Sequence, residues 1–435
     1  MIRLISTYKN KRLRELSKLS FSISNSDNTN IIKVDMDKKY QDILGFGAAL
    51  TDSACYVISQ LEKNIGERLM ESLFSPDDMN ISVCRLSVGS SDYARQLYSY
   101  DDTVDDYELK DFSIDYDRKY IIPLILKARD INPDLFLFSS TWSPPGWMKT
   151  GGDMYGGWLR DKYLETYARY YTCFLKEYER AGILIDGLTL QNETETDQLG
   201  KMPASYMHPE YEQIIIKDYL DTLLKNNDLK TKIWIMDHNF IMWKRAKWML
   251  DDINLKEKVD GVAFHPYGGT ADMMSMLHNA HPEVNLYWTE GGPGLRSDYE
   301  KSWSEWGKKF AEAMNNWCRS ITAWNLALDE EGNPNIGPFK CAGMITIDSI
   351  TKEVTYSGQY YAMGHFSRFV KKGANRVFSS GTVDDVYHTA FVNPNGEKVL
   401  VITNTGGDRE LQIEYNGKFI KFSCPEDSIS TMIWQ

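Results

Sequence analysis

Glu193, in the stretch LQNETE, and Glu290, in YWTEGG, each close a run of apolar residues. A carboxylate delivered by a buried segment has to be paired, solvated or used, because an isolated charge in a low dielectric is costly. Taken singly, either glutamate reads equally well as a rim carboxylate in water or beside a basic side chain. Gly291-Gly292 directly after Glu290 leaves that carboxylate uncovered. Two carboxylates brought into one pocket suit glycoside hydrolysis: one protonates the leaving oxygen while the other attacks the anomeric carbon or activates a water. Their spacing separates the outcomes, ~5–5.5 Å for retention and ~6.5–9.5 Å for inversion.

Bringing two residues so distant in sequence together requires strands that converge. Eight segments read as strands: 41–49, 81–89, 135–142, 184–193, 232–239, 259–267, 284–290 and 320–329. Helical spacing of apolar residues lies between them, as in 163–181 (Leu164, Tyr167, Ala168, Tyr171, Leu175, Tyr178) and 303–317 (Trp303, Trp306, Phe310, Ala313, Trp317). Eight alternations fit an α/β fold, a (β/α)8 TIM barrel over residues 41–372. An open doubly wound sheet is the runner-up, but GFGAALTDS lacks the GxGxxG phosphate turn. From residue 374 the pattern becomes short alternating strands, with hairpin signals at Asn395-Gly396 and Asn416-Gly417. Residues 1–40 plus 373–435 are therefore expected to form an attached β-sandwich-like domain.

A barrel of this kind carries its chemistry at the C-terminal ends of the strands. Asn192 precedes Glu193 at the fourth end. Asp92 follows the second, Trp142 the third, His265 and Tyr267 the sixth, and Trp324 and Asn325 the eighth. Each has an ordinary structural reading too: Asp92 as a helix cap, His265 as a hydrogen-bonded core histidine, Trp142 and Trp324 as core aromatics. Trp147 is read as core.

Bulk properties narrow the classes. A net charge of −12 argues against a nucleic-acid partner, which needs a basic face. The local run Lys9, Lys11, Arg12, Arg14 and Lys18 is read as a solvated N-terminal stretch. Aromatic residues make up 13 %, with 12 Trp and 26 Tyr, and such rings suit sugar faces. The six cysteines form no CxxC pair and read as small core residues, with no structural zinc or redox motif. No membrane span is expected, because no run of about 18 apolar residues occurs. MIRLISTYKNKRLREL lacks the apolar core of a signal peptide, so the chain as it stands reads as cytoplasmic. A secreted protein whose leader had been removed reads the same way. No cofactor is called for, and the oligomeric state has no sequence signal.

The stretches GFGAALTDSA, RLSVGSSDYA, STWSPPGWMKTGG, LQNETE, FHPY, WTEGG, AWNLALDEEGNPN and GHFSRFV together resemble glycoside hydrolase family 30, the glucosylceramidase family. The resemblance runs along nearly the whole chain. It implies a retaining mechanism on a (β/α)8 barrel, with a β-sandwich-like domain built from both termini. It makes Glu193 the acid/base and Glu290 the nucleophile, with Asn192 on the sugar 2-hydroxyl. It implies that Asp92 and Trp142 hold hydroxyls of the terminal sugar, with Trp324 stacking near it and Asn325 close by. His265 and Tyr267 line the pocket, Tyr267 near the nucleophile, and Arg85 braces carboxylates from below. The implied substrate is a β-glucoside, with β-xylosides, β-1,6-glucans and glucuronoxylan as alternatives within the family. Thr194 stands where many members have Pro, and Thr289 and Gly291 frame Glu290 where some have Ser and Ala. Two other classes stay open: a metal-dependent barrel hydrolase using Asp237, His238 and His265, and a non-catalytic sugar-binding relative.

Overall fold

The computed structural model describes residues 1–23, 30–296 and 298–435. Among them, eight parallel strands close into a barrel. In chain order these are Gly45–Ala49, Val83–Ser87, Phe136–Ser140, Gly187–Thr189, Lys232–Asn239, Gly261–His265, Asn285–Trp288 and Cys318–Ala323, called here the first to eighth barrel strands. Each pairs with its sequence neighbours, and the eighth closes on the first through Ser320 against Gly45. The helices Leu164–Arg180, Trp303–Asn315 and Gly358–Ser367 form over the segments whose apolar residues recur on one face.

Most strands are shorter than the runs that announce them, and the fourth and eighth lose most at their C-terminal ends. The fourth stops at Thr189, not at Glu193. There the chain leaves the ladder, and the Asn192 and Glu193 amides donate instead to Thr141 O and Asp237 O (2.7 and 2.9 Å). The eighth stops at Ala323, while Ala327–Leu328 pair into a separate three-stranded sheet.

Nine strands form a second sheet from both ends of the chain: Arg3–Tyr8, Lys11–Glu15 and Ile31–Asp42 join six strands between Asn375 and Trp434. The Asn416-Gly417 hairpin has both turn residues at positive φ (49° and 69°), with Tyr415 opposite Lys418. The sheet curls on itself. Tyr415 packs edge-on against Trp434 (5.6 Å), although four strands intervene between theirs in sheet order. A core containing Leu4, Ile32, Leu400, Ile413 and Phe422 fills the inside. The basic N-terminal run is an edge hairpin, not a free stretch, and Arg12 lies 4.2 Å over the Trp303 ring.

Two barrel helices seat this domain. Trp303 Nε1 donates to Asp427 O (2.8 Å). His365 is fully buried between Thr431 Oγ1 (2.8 Å) and Thr7 Oγ1 (2.9 Å). Burial, aided by the Arg368 charge, pushes the imidazole down to about 3, so the ring is held neutral. The unfolded chain binds this proton near the ordinary 6.5 and the folded one does not. Its contribution is therefore complete above pH 6.5 and is lost as pH falls toward 3, by up to about 1.4 kcal/mol per pH unit. In His365→Gln the melting temperature should fall less between about pH 7 and about pH 4.5 than in the parent. Equal falls in differential scanning fluorimetry would mean that this ring is not held neutral.

Candidate active site

Inward positions of the barrel strands alternate with period two, which stacks the interior in layers. The lowest layer is aromatic. Trp234 lies between Phe136 (5.8 Å) and Tyr287 (4.0 Å), both stacked, and all three are buried. Gly261 makes room for it, since a Cβ there would stand 2.5 Å from Tyr287 Cε2. Two residues further along their strands, the inward side chains turn polar: Arg85, Ser140, Thr189, His265 and Thr289. All five are buried. A β-bulge adds Asp237 to this layer, because the pairing of the fifth and sixth strands slips between Met236 and His238. Met236 and Asp237 both take positive φ (77° and 52°) to make the turn.

Asp237 accepts from Arg85 Nη2, Ser140 Oγ and Thr189 Oγ1 on Oδ2 (each 2.7 Å). Oδ1 meets Thr289 Oγ1 (2.6 Å) and His265 Nε2 (3.0 Å). Arg85, with no exposure, also donates to Asn192 Oδ1 (2.8 Å) and to Glu290 Oε2. One guanidinium thus ties residues of the fourth, fifth and seventh strand ends together.

Glu290 follows the seventh strand by two residues, and Tyr267 donates its hydroxyl to Oε1 (3.0 Å). The chain beyond is pressed against its neighbours, which explains Gly291. A Cβ there would stand 2.8 Å from Trp288 Nε1 and 2.9 Å from Pro266 Cγ. Glu193 has a left-handed φ of 52°. His265 Nδ1 lies 3.4 Å from its Oε1, and Gln198 Nε2 donates to its Oε2 (2.5 Å). Thr194, the departure from proline, is buried and donates to Met236 O (3.1 Å), so the hydroxyl fixes the loop after the acid/base candidate to the fifth strand. One oxygen of each glutamate and a ring nitrogen of His265 all lie within 4.8 Å of one another.

The charges follow from this packing. Burial pushes the Asp237 carboxyl up, but Arg85 and the hydrogen bonds of His265 and Thr289 outweigh it and hold the group well below the usual range. Burial disfavours the His265 cation, yet Glu290, Asp237 and Glu193 raise the ring to about 9. For Glu193 burial again acts upward, and the His265 hydrogen bond and charge bring it below its ordinary value. Burial alone would favour a proton on Glu193; the hydrogen bond and charge of His265 act against it. His238 sinks to about 4 through burial and is neutral. Burial, then Glu290 and Glu193, push Asp92 well above the carboxylate range.

A cavity of about 270 Å³ opens above the pair, lined by Asp92, Trp142, Asn192, Glu193, Tyr267, Glu290 and Trp324 among others. Trp142 and Trp324 stack at 5.1 Å. Asp92 Oδ1 has no protein partner there. Of the other residues singled out from sequence, Arg85 and His265 lie in the layer beneath. Asn325 is fully buried outside the lining, accepting from Thr51 Oγ1 (2.8 Å). Gln198, Met202, Phe339 and Cys341 also line the cavity. They come from loops, where no periodicity marks them. Asp237, His238 and His265 do not converge as a metal donor set, and Asp237 already accepts from Arg85, Ser140, Thr189 and Thr289. The cluster Glu193, His265 and Glu290 could hold a cation by its donor types. Arg85 and the His265 proton already supply positive charge to it.

With this geometry in hand, comparisons with known proteins place the chain. The glycosyl hydrolase family 30 TIM-barrel domain model matches residues 43–370, and the family 30 beta sandwich domain model matches residues 373–432. An endo-1,6-beta-D-glucanase of Neurospora crassa is 32 % identical over 400 residues, covering 87 % of this chain and 82 % of that protein. The lysosomal acid glucosylceramidase of Mus musculus is 28 % identical over 455 residues, covering 99 % and 88 %. The crystal structure of SrfJ from Salmonella typhimurium superposes with a TM-score of 0.96 at 29 % identity, covering 100 % of both chains. Among the described residues, no helix is long and apolar enough to cross a membrane. Both domain models match in chain order and together span nearly the whole sequence, so the chain belongs to glycosyl hydrolase family 30.

Proposed function

We propose that this glycoside hydrolase cleaves β-glucosidic bonds with retention, using Glu290 as nucleophile and Glu193 as acid/base. The observation that carries this reading is the approach of the two carboxylates to within 4.8 Å beside one cavity. So close an approach lies on the side of the ~5–5.5 Å of direct attack rather than the ~6.5–9.5 Å that admits the water of an inverting enzyme. The cavity, about 270 Å³, suits a single terminal sugar ring. Relatives named for glucosylceramide and for β-1,6-glucan both support a glucosyl unit in it.

Glu290 Oε attacks the anomeric carbon, the glycosidic C–O bond breaks, and the leaving oxygen takes a proton from Glu193. His265 supplies that proton. In the empty site the proton sits on its ring, held there by the charges of Glu290 and Asp237. As Glu290 becomes an ester its charge disappears, the hold on the imidazolium weakens, and the proton passes through Glu193 to the leaving group. Water then attacks the anomeric carbon, the bond from that carbon to Glu290 Oε breaks, and the attacking water gives its proton to Glu193. The returning Glu290 charge draws that proton back to His265. Asn192, oriented by Arg85, is placed to meet the 2-hydroxyl, and the raised Asp92 carboxyl offers both a donor and an acceptor to sugar hydroxyls.

Nitrophenyl β-glucoside, xyloside, galactoside and glucuronide test the sugar directly. Turnover of the glucoside is expected to be the fastest, and Glu290→Gln should lower it at least about a thousandfold. Substantial residual turnover in Glu290→Gln removes the assignment. His265→Gln should move the alkaline limb of kcat/KM toward acid by at least about one pH unit, because Glu193 must then hold the proton alone. An unmoved limb overturns the role of His265 while leaving the nucleophile intact.

A further inference from the structure

The loops after the third and fourth barrel strands carry an aromatic pair outside the cavity described above. Trp158 stacks on Tyr206 with centroids 4.2 Å apart and planes 28° apart, and Trp158 is 45 % exposed. The platform is fixed from beneath. Tyr206 donates its hydroxyl to Glu195 Oε2 (2.5 Å), and Glu195 is paired with the buried Arg245. The two loops are bridged by the Tyr206 amide donating to Gly157 O (2.9 Å), and the first loop is tied to itself by the Trp158 amide donating to Thr150 Oγ1 (3.1 Å). Such rigidity lowers the entropic cost of engaging a ligand.

Beside the pair is a rim cavity of about 590 Å³, where Trp158 is accompanied by Arg160, Asp161, Lys162, His208 and Glu210. A flat apolar face edged by charged donors and acceptors is what a pyranose ring needs: its C–H face covers the indole while its hydroxyls reach the rim. Trp248 is similarly exposed (51 %) but lies on the helix Trp243–Leu250, with no aromatic partner among the described residues. Position gives the second argument. The Gly157 amide donates to Asp197 Oδ2 (3.3 Å), and the next residue, Gln198, holds Glu193. The platform is thus built onto the same loop that grips the acid/base, on the side where the leaving group departs.

We propose that Trp158 and Tyr206 form a second carbohydrate site that holds the leaving-group chain, which makes the substrate class a β-linked gluco-oligosaccharide. This rests on Glu193 and Glu290 being the catalytic pair. Exo-cleavage at the cavity then draws binding energy from a sugar several units away, and such remote contacts raise the rate on the chain over that on a small glycoside.

The test uses full-length protein and a β-1,6-linked gluco-hexasaccharide as probe. In the Glu290→Gln background, calorimetry should show hexasaccharide binding that weakens about tenfold on Trp158→Ala and recovers largely in Trp158→Phe. In the active background, the ratio of kcat/KM for the hexasaccharide to that for nitrophenyl β-glucoside should fall about tenfold in Trp158→Ala. Unchanged melting temperatures exclude misfolding as the cause. An unaltered ratio and affinity overturn the platform. Nitrophenyl glucoside turnover that depends on Glu290, without hexasaccharide binding, overturns it too and leaves the catalytic reading standing. Absence of Glu290-dependent turnover on every glycoside brings down both.

Discussion

Arg85 carries a full positive charge with no solvent contact, in the middle of a barrel. Such a charge is tolerated only if its donors are met by acceptors of opposite sign, and removing one partner of a buried pair typically costs about 3–5 kcal/mol. Here the partners are Asp237, Asn192 and Glu290, from three strand ends. The guanidinium therefore sets the distance between the fourth and seventh ends more firmly than backbone pairing does, since the ladders stop at Thr189 and Trp288. Cation–π contacts to Trp142 (4.6 Å) and Trp324 (5.7 Å) extend the same constraint to the aromatic wall of the cavity.

The layer around Arg85 also decides protonation. Asp237 is saturated and stays charged, so the positive ring of His265 is favoured beside it. That ring in turn sets the state of Glu193. Three carboxylates and two cations form one coupled unit, and a proton in it belongs to the group rather than to a single residue. Under the proposed roles, loss of one charge on ester formation at Glu290 would be felt throughout, which suits a two-step reaction that needs an acid first and a base second.

The second sheet contributes no residue to the cavity lining. Its contact with the barrel runs through the helices Trp303–Asn315, packed on the eighth strand, and Gly358–Ser367, packed on the first, and through Asp42 paired with Arg319 of the eighth strand. Ile429 and Thr403 approach so closely that a Cβ on Gly307 would stand 2.6 Å from each. The domain thus braces the barrel where its eighth and first strands close, beside the strand that leads to Glu290. The aromatic platform at Trp158 lies on loops of the opposite glutamate. One side of the mouth is held by a domain and the other is left to bridged loops.

Much of this was legible in the residues alone. Period-two and helical spacing are local properties, so eight strands, the main helices and the terminal β unit could be read without coordinates, as could glutamates at two strand ends. The Asn416-Gly417 turn was equally local, because only certain residues accept two positive φ values in succession. Three features could not be read this way. The bulge at Asp237 depends on how the fifth strand pairs with the sixth, and no residue type there announces it. Gln198, Met202, Phe339 and Cys341 reach the cavity from irregular loops. Asn325, adjacent to a lining residue, is turned away from the cavity and accepts from Thr51 Oγ1 of the first strand's loop. The lowered carboxyl of Glu193 has the same kind of origin. Burial and one like charge are visible in a motif, whereas the imidazolium that reverses their effect is brought to Glu193 from another strand. Sequence by itself determined which side chains the barrel would deliver to its mouth, since alternation along a strand is covalent geometry. Tertiary structure alone decided their distances and charges, because those are sums over neighbours that the chain order does not contain.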